Sequence, residues 1–163
     1  MVKMIINKKI HFLTAILFTV SIFPKLSNAE ENIWREIKII ERTIEHMGTN
    51  VYWSNNSQLC KEGLLGAYIP KEDLIYICQA NHREDYTELL GTIKHEGWHA
   101  VQNKCNEDLA VLTDAQIRSH LKLRDRKILH AYHPQTERAE AEARVIEQIP
   151  TKPWIKGVKK LCS

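Results

Sequence analysis

Several features are missing from this chain, and each absence closes off a class of function. No two of the four cysteines (Cys60, Cys78, Cys105, Cys162) stand two residues apart, which excludes zinc knuckles and ribbons built on that spacing. No apolar stretch reaches the roughly 20 residues a bilayer-spanning helix needs, and the best one, residues 12–23, falls short. There is no internal repeat, no low-complexity tract and no linker, so the 163 residues make up one domain at most. Positive charge is scarcer than the total of 23 Lys and Arg against 20 Asp and Glu suggests. Lys3, Lys8, Lys9 and Lys25 sit in residues 1–29 with no acid, which leaves 19 against 20 over residues 30–163. Without a cationic excess, nothing points to nucleic acid or anionic lipid as a partner.

Residues 1–29 themselves have the pattern of a cleaved export signal. A basic start is followed by the apolar run, and the small Ser27-Asn28-Ala29 stands where a signal peptidase reads. The expected product is a single domain, residues 30–163, secreted or periplasmic, monomeric and without stable membrane association. Its ~134 residues can bury roughly two thirds of their unfolded surface, so a core is possible without metal. An even number of cysteines in an exported chain implies disulfides, with three pairings open. Cys60–Cys78 would close the base of a hairpin, and Cys105–Cys162 would tie the C-terminal tail to the helix discussed below.

Hydrophobic spacing predicts an α+β chain. Ile33, Ile37, Ile40, Ile44 and Met47 recur at helix period, with Gly48 placed as a stop. Residues 51–53 read as a short strand. The runs Leu-Leu-Gly-Ala-Tyr-Ile-Pro and Leu-Ile-Tyr-Ile-Cys, separated by the polar residues 70–73, predict an antiparallel hairpin. A helix is expected from Asp85 or Thr87 to about Lys104, and another from Asp114, as its cap, through residue 132. A last helix is expected over residues 136–149, after Pro134 and ended by Pro150 and Pro153. Trp34, Trp53, Trp98 and Trp154 are expected in the core or at its rim.

Within the second helix, His95 and His99 are one turn apart and lie within about 40° of each other, so both imidazoles can reach one ion. Zinc suits such a pair, taking neutral imidazole nitrogens and a third protein ligand. Glu96 sits at the margin of the same face, able to touch a bound water without being a ligand. Leu89, Leu90, Ile93, Ala100 and Val101 spread round most of the helix, so it is expected to be buried. A polar stripe of Glu88, Thr92, His95, His99 and Gln102 then needs partners, which a metal and its water would supply. Gly97 costs about 1 kcal/mol against alanine inside a helix, and close approach of another backbone would account for it.

His95-Glu96-Gly97-Trp98-His99 followed by Gln102 resembles the active-site helix of zincin metallopeptidases. The later Glu-Arg-Ala-Glu-Ala-Glu-Ala-Arg is similar to the glutamate helix of the gluzincin branch, in which a Glu with a small residue three positions on supplies the third ligand. The combination also resembles small bacterial exported proteins with a Trp before the second histidine. The resemblance spans residues 75–149 and implies a minimal zincin-like fold with zinc held by His95, His99 and Glu140, Ala143 being the small residue. Burial logic alone nominates Glu142, which projects among Ala139, Ile146 and Ile149. One departure concerns Arg144, which stands where many gluzincins carry an acid that orients a histidine.

The resemblance further implies a peptidase acting on peptide or protein, in which Glu96 takes a proton from zinc-activated water and passes it to the leaving amine. His130, Tyr132 and His133 are candidates for stabilising the tetrahedral oxygen. The strand Leu-Ile-Tyr-Ile-Cys is the expected edge on which an extended peptide would lie, or else a plain structural hairpin. Two other functions remain open on the sequence: a secreted module that zinc stabilises but that hydrolyses nothing, and a disulfide-stapled scaffold without metal.

Overall fold

The computed structural model describes residues 27–163 apart from 56, 57, 59, 62, 108–110 and 130–133. The export-signal residues up to 26, and the oxyanion candidates His130, Tyr132 and His133, lie outside the described residues. Helix α1 (Asn28–His46) begins with a capping box in which the Ser27 hydroxyl accepts from the Glu30 amide and the Glu30 carboxylate accepts from the Ser27 amide. Its first turn therefore crosses the expected cleavage point after Ala29. Ile37, Ile40 and Ile44 are fully buried, as their spacing requires, and Gly48 ends the helix with φ at +84°, a left-handed value glycine adopts at little cost.

Strands β1 (Asn50–Ser54), β2 (Gly66–Ile69) and β3 (Leu74–Cys78) form one sheet in the order β1-β3-β2. The expected hairpin is present, with β2 antiparallel to β3. The sheet as a whole is mixed, because β1 pairs with β3 in parallel. Although β1 and β2 are consecutive strands in the chain, they lie on opposite sides of β3. The expectation that Leu-Ile-Tyr-Ile-Cys offers an open edge is therefore corrected. It forms β3, flanked on both sides, and its continuous apolar character fits a central strand with Ile75 and Ile77 fully buried.

A short 3₁₀ turn (Gln79–His82) and two left-handed residues, Arg83 and Glu84, lead into α2 (Tyr86–Cys105). Asp85 caps α2, accepting from the amides of Thr87 and Glu88. The single helix expected from Asp114 is broken into α3 (Asp114–His120) and α4 (Leu123–Leu129). Leu121 is extended at the break, and it packs with Ile117, Leu129, Ala141 and Val145 in a small second core. Thr113, not Asp114, is the cap of α3, in a capping box with Gln116. Helix α5 (Pro134–Ile146) starts at its proline as expected.

Helix α6 (Thr151–Leu161) was not anticipated. Pro150 is its N-cap and Pro153 lies in its first turn, where amides have no intrahelical partner and a missing donor costs nothing. Trp154 and Val158, one turn apart, dock α6 into the main core formed with α1, β3, α2 and α5. Trp98 is buried in the same core, while Trp34 and Trp53 line its rim with the Lys38 ammonium over both rings. Disulfides join Cys60 to Cys78 and Cys105 to Cys162, as expected, consistent with an oxidising compartment. The second links the end of α2 to the end of α6. Among the described residues no helix is long and apolar enough to cross a membrane.

Candidate metal centre

Helix α2 runs through the middle of the fold, packed by β2 and β3, α1, α5 and α6. Gly97 permits this crossing. A Cβ there would lie 2.7 Å from Ile44 Cδ1 of α1 and 3.2 Å from Trp154 Cζ2 of α6, so side chains rather than another backbone occupy the space. The polar stripe of α2 faces α5, and the two helices run antiparallel: Gln102 meets Ala139 and Glu142, while His95 meets Glu147.

His95, His99 and Glu140 converge, with ligand atoms all within 4.8 Å of one another. The two Nε2 atoms are 3.2 Å apart. Glu140 Oε2 lies 3.3 Å from His95 Nε2, and Oε1 lies 3.2 Å from His99 Nε2. Both Nδ1 atoms are engaged elsewhere, His95 with Glu147 Oε2 at 2.9 Å and His99 with Gln102 Oε1 at 2.8 Å. When a ring is neutral, a proton on Nδ1 satisfies these acceptors and leaves the Nε2 lone pair facing the common centre. Two imidazole nitrogens and a carboxylate in that arrangement fit a divalent ion such as zinc, with positions left for water or substrate.

Between the two glutamates that the sequence left in competition, the fold separates the roles. Glu142 is 0% exposed, yet it points away from the histidines. Its Oε1 accepts from the amides of Val111 (2.6 Å) and Leu112 (2.5 Å), and its Oε2 from Gln102 Nε2 (2.7 Å). Gln102 in turn holds His99, so Glu142 braces the centre through Gln102. Ala143, fully buried between α5 and α2, is the small residue that lets the helices approach. The His95 ring is held by Glu147, one residue past the end of α5 and two turns beyond Glu140. This spacing was legible in the sequence, but the partner histidine was not.

Electrostatics follow from the burial. Desolvation would lower the pKa of His95, but hydrogen bonds to Glu140 and Glu147 outweigh it and raise it to about 9. Burial likewise opposes ionisation of Glu140, and its bonds to His95 and His99 more than offset this, holding the carboxyl far below its ordinary range. Glu96 is buried, which pushes its pKa up, while the neighbouring histidines act to lower it. The Tyr68 amide of β2 donates to the Glu96 carboxylate. Gly66 allows that approach, since a Cβ there would meet Thr92 Cγ2 at 2.8 Å and Glu96 Cγ at 3.1 Å. Lys94, absent from the sequence-based site, is buried beside it and donates to the Ile149 carbonyl at 2.9 Å, pinning the α5–α6 turn to α2.

A cavity of about 1130 Å³ opens in front of this group. It is lined by residues of β2 and of the segment before it, by α2 and α5, and by Lys122 and Arg124 at the start of α4. No protein-family model matches this chain, and neither the curated proteins nor the solved structures contain a match to it.

Proposed function

We propose that this is an exported, zinc-dependent peptidase. The observation that carries the proposal is the orientation of the two imidazoles: Glu147 and Gln102 hold both Nδ1 atoms, so both Nε2 atoms face Glu140 across one small space. His95, His99 and Glu140 would hold the ion, and Glu147 and Gln102 would keep the imidazoles aligned. When bound, zinc supplies Lewis acidity, polarising a carbonyl and making water acidic enough to attack near neutral pH. Glu96 would accept the proton of that water on its carboxylate and return it to the departing amine. Burial favours the protonated form of Glu96 and so strengthens it as the base in the first half of this exchange. The half-buried edge of β2, not β3, would hold the peptide in extended form by main-chain hydrogen bonds. Export rests on the N-terminal pattern together with the two disulfides.

The test is Glu96→Gln measured against a broad peptide library, with metal content determined on the same preparations. Loss of cleavage with zinc retained is expected. Cleavage unchanged by the substitution would defeat the mechanism. The competing reading is a non-catalytic module stabilised by zinc, and one observation favours it: the three ligands bridge α2 and α5, so an ion there would also staple the fold. That reading expects zinc to raise the melting temperature while no peptide is cleaved by the wild type.

A further inference from the structure

Packing accounts for two of the glycines near the candidate centre. Gly97 makes room for Ile44 and Trp154, and Gly66 for Thr92 and Glu96. Gly91 is different. It lies inside α2, where glycine costs stability relative to alanine, and no positive φ demands it there. Yet apart from its chain neighbours and the helix's own backbone, no atom lies within 4 Å of the point a Cβ would occupy. No neighbouring element uses the gap. It opens on the cavity, which Gly91 lines together with Thr87 and Glu88 one turn before it and Lys94 and His95 one turn after, so the cavity continues along α2 on both sides. From Gly91 to His95 is about 6 Å along the helix axis.

Resting on the peptidase reading of the cavity, we propose that Gly91 is a specificity-determining residue, whose missing side chain leaves a subsite beside the metal centre for a large apolar side chain of the substrate. The backbone bared at Gly91 belongs to the middle of a helix, so its hydrogen bonds are already made. It offers an occupant contact area rather than polar partners, which favours bulk of leucine or phenylalanine size. An extended peptide advances about 3.3 Å per residue, so the side chain that fills the gap belongs to one of the first two residues beyond the group at the metal.

The experiment uses zinc-loaded protein and peptides bearing a hydroxamate at either end, in which the first or second residue beyond it runs through Gly, Ala, Leu and Phe. At one of these positions wild type should bind the Leu and Phe probes about 10–100-fold more tightly than the Gly probe, the range expected from burying one such side chain. Gly91→Leu should erase that gap while keeping its zinc and its affinity for the Gly probe. Gly91→Ala should narrow the gap and raise Tm by a few degrees, because alanine suits a helix better. Gly157→Ala is the control: it fills the same kind of open space on α6, outside the cavity lining, and should raise Tm without altering the profile. The proposal is overturned if wild type shows no preference for bulk, or if Gly91→Leu, or Gly91→Ala where the leucine variant does not fold, leaves the gap intact. A preference erased at Gly91 without cleavage of any peptide defeats the peptidase reading alone. Cleavage whose side-chain profile the Gly91 variants leave untouched defeats this proposal alone.

Discussion

Alanine at position 140 and alanine at position 142 should fail in different ways, although the two glutamates are neighbours in sequence. Glu140→Ala removes one of three ligands from the candidate centre, so zinc retained after dialysis should fall from near one per chain to a small fraction. The metal-free fold should barely notice, because His95 keeps its bond to Glu147 and the loss is limited to about 1–2 kcal/mol of charge-assisted contacts. Glu142→Ala strips the acceptor from one buried donor, Gln102 Nε2, and from the amides of Val111 and Leu112. Taking roughly 1–3 kcal/mol for the buried donor and about 1 kcal/mol for each amide, the cost comes to about 3–5 kcal/mol. Against a typical net stability of about 5–15 kcal/mol that is a large share, and for a domain of this size it lowers Tm by roughly 10–20 °C. Circular dichroism melts with chelator present read the fold, and elemental analysis after zinc loading reads the site. A Glu142→Ala protein that melts normally but has lost its zinc, beside a Glu140→Ala protein that keeps it, would refute the assignment of roles.

Further outcomes are fixed by the same structure. Glu147→Gln should weaken zinc binding about 10–100-fold, as titration against a competing chelator will show. Without metal, the raised pKa of His95 contributes stability that is complete below pH 6.5 and is lost as pH rises through about 9. Zinc needs the neutral ring, so uptake near pH 7 should release a proton and tighten toward pH 9, and calorimetry in buffers of differing ionisation enthalpy should detect that proton. Gly97→Ala drives a methyl group into Ile44 and Trp154, so a net loss of about 1–2 kcal/mol is expected despite alanine's better helix propensity; a rise in Tm would contradict the packing. Replacing Cys105 and Cys162 by serine opens a link spanning 57 residues and should cost about 4 kcal/mol in denaturant titrations.

Local chemistry was readable wherever one segment carried the whole signal. The isoleucine period and Gly48 marked α1, Asp85 marked the start of α2, Pro134 that of α5, and the His95–His99 spacing marked the metal face. What failed depended on partners distant in sequence. Leu121 stands extended between two helices and packs in a second core, and β3 is central because β1 reaches it from the other side. Two prolines begin α6, although the same residues also stop the helix before it.

The sequence by itself determined that two imidazoles share one face of a buried helix and that a glutamate-rich helix follows, because helical period is a property of the chain alone. It could not rank Glu140 against Glu142, since burial and ligation both favour an inward carboxylate. Only tertiary structure decided that, by docking α5 antiparallel on α2 so that Glu140 and Glu147 meet the histidines while Glu142 meets Gln102 and the amides of residues 111 and 112. The angle at which one helix meets another is fixed by everything packed around both, and no single stretch of residues encodes it.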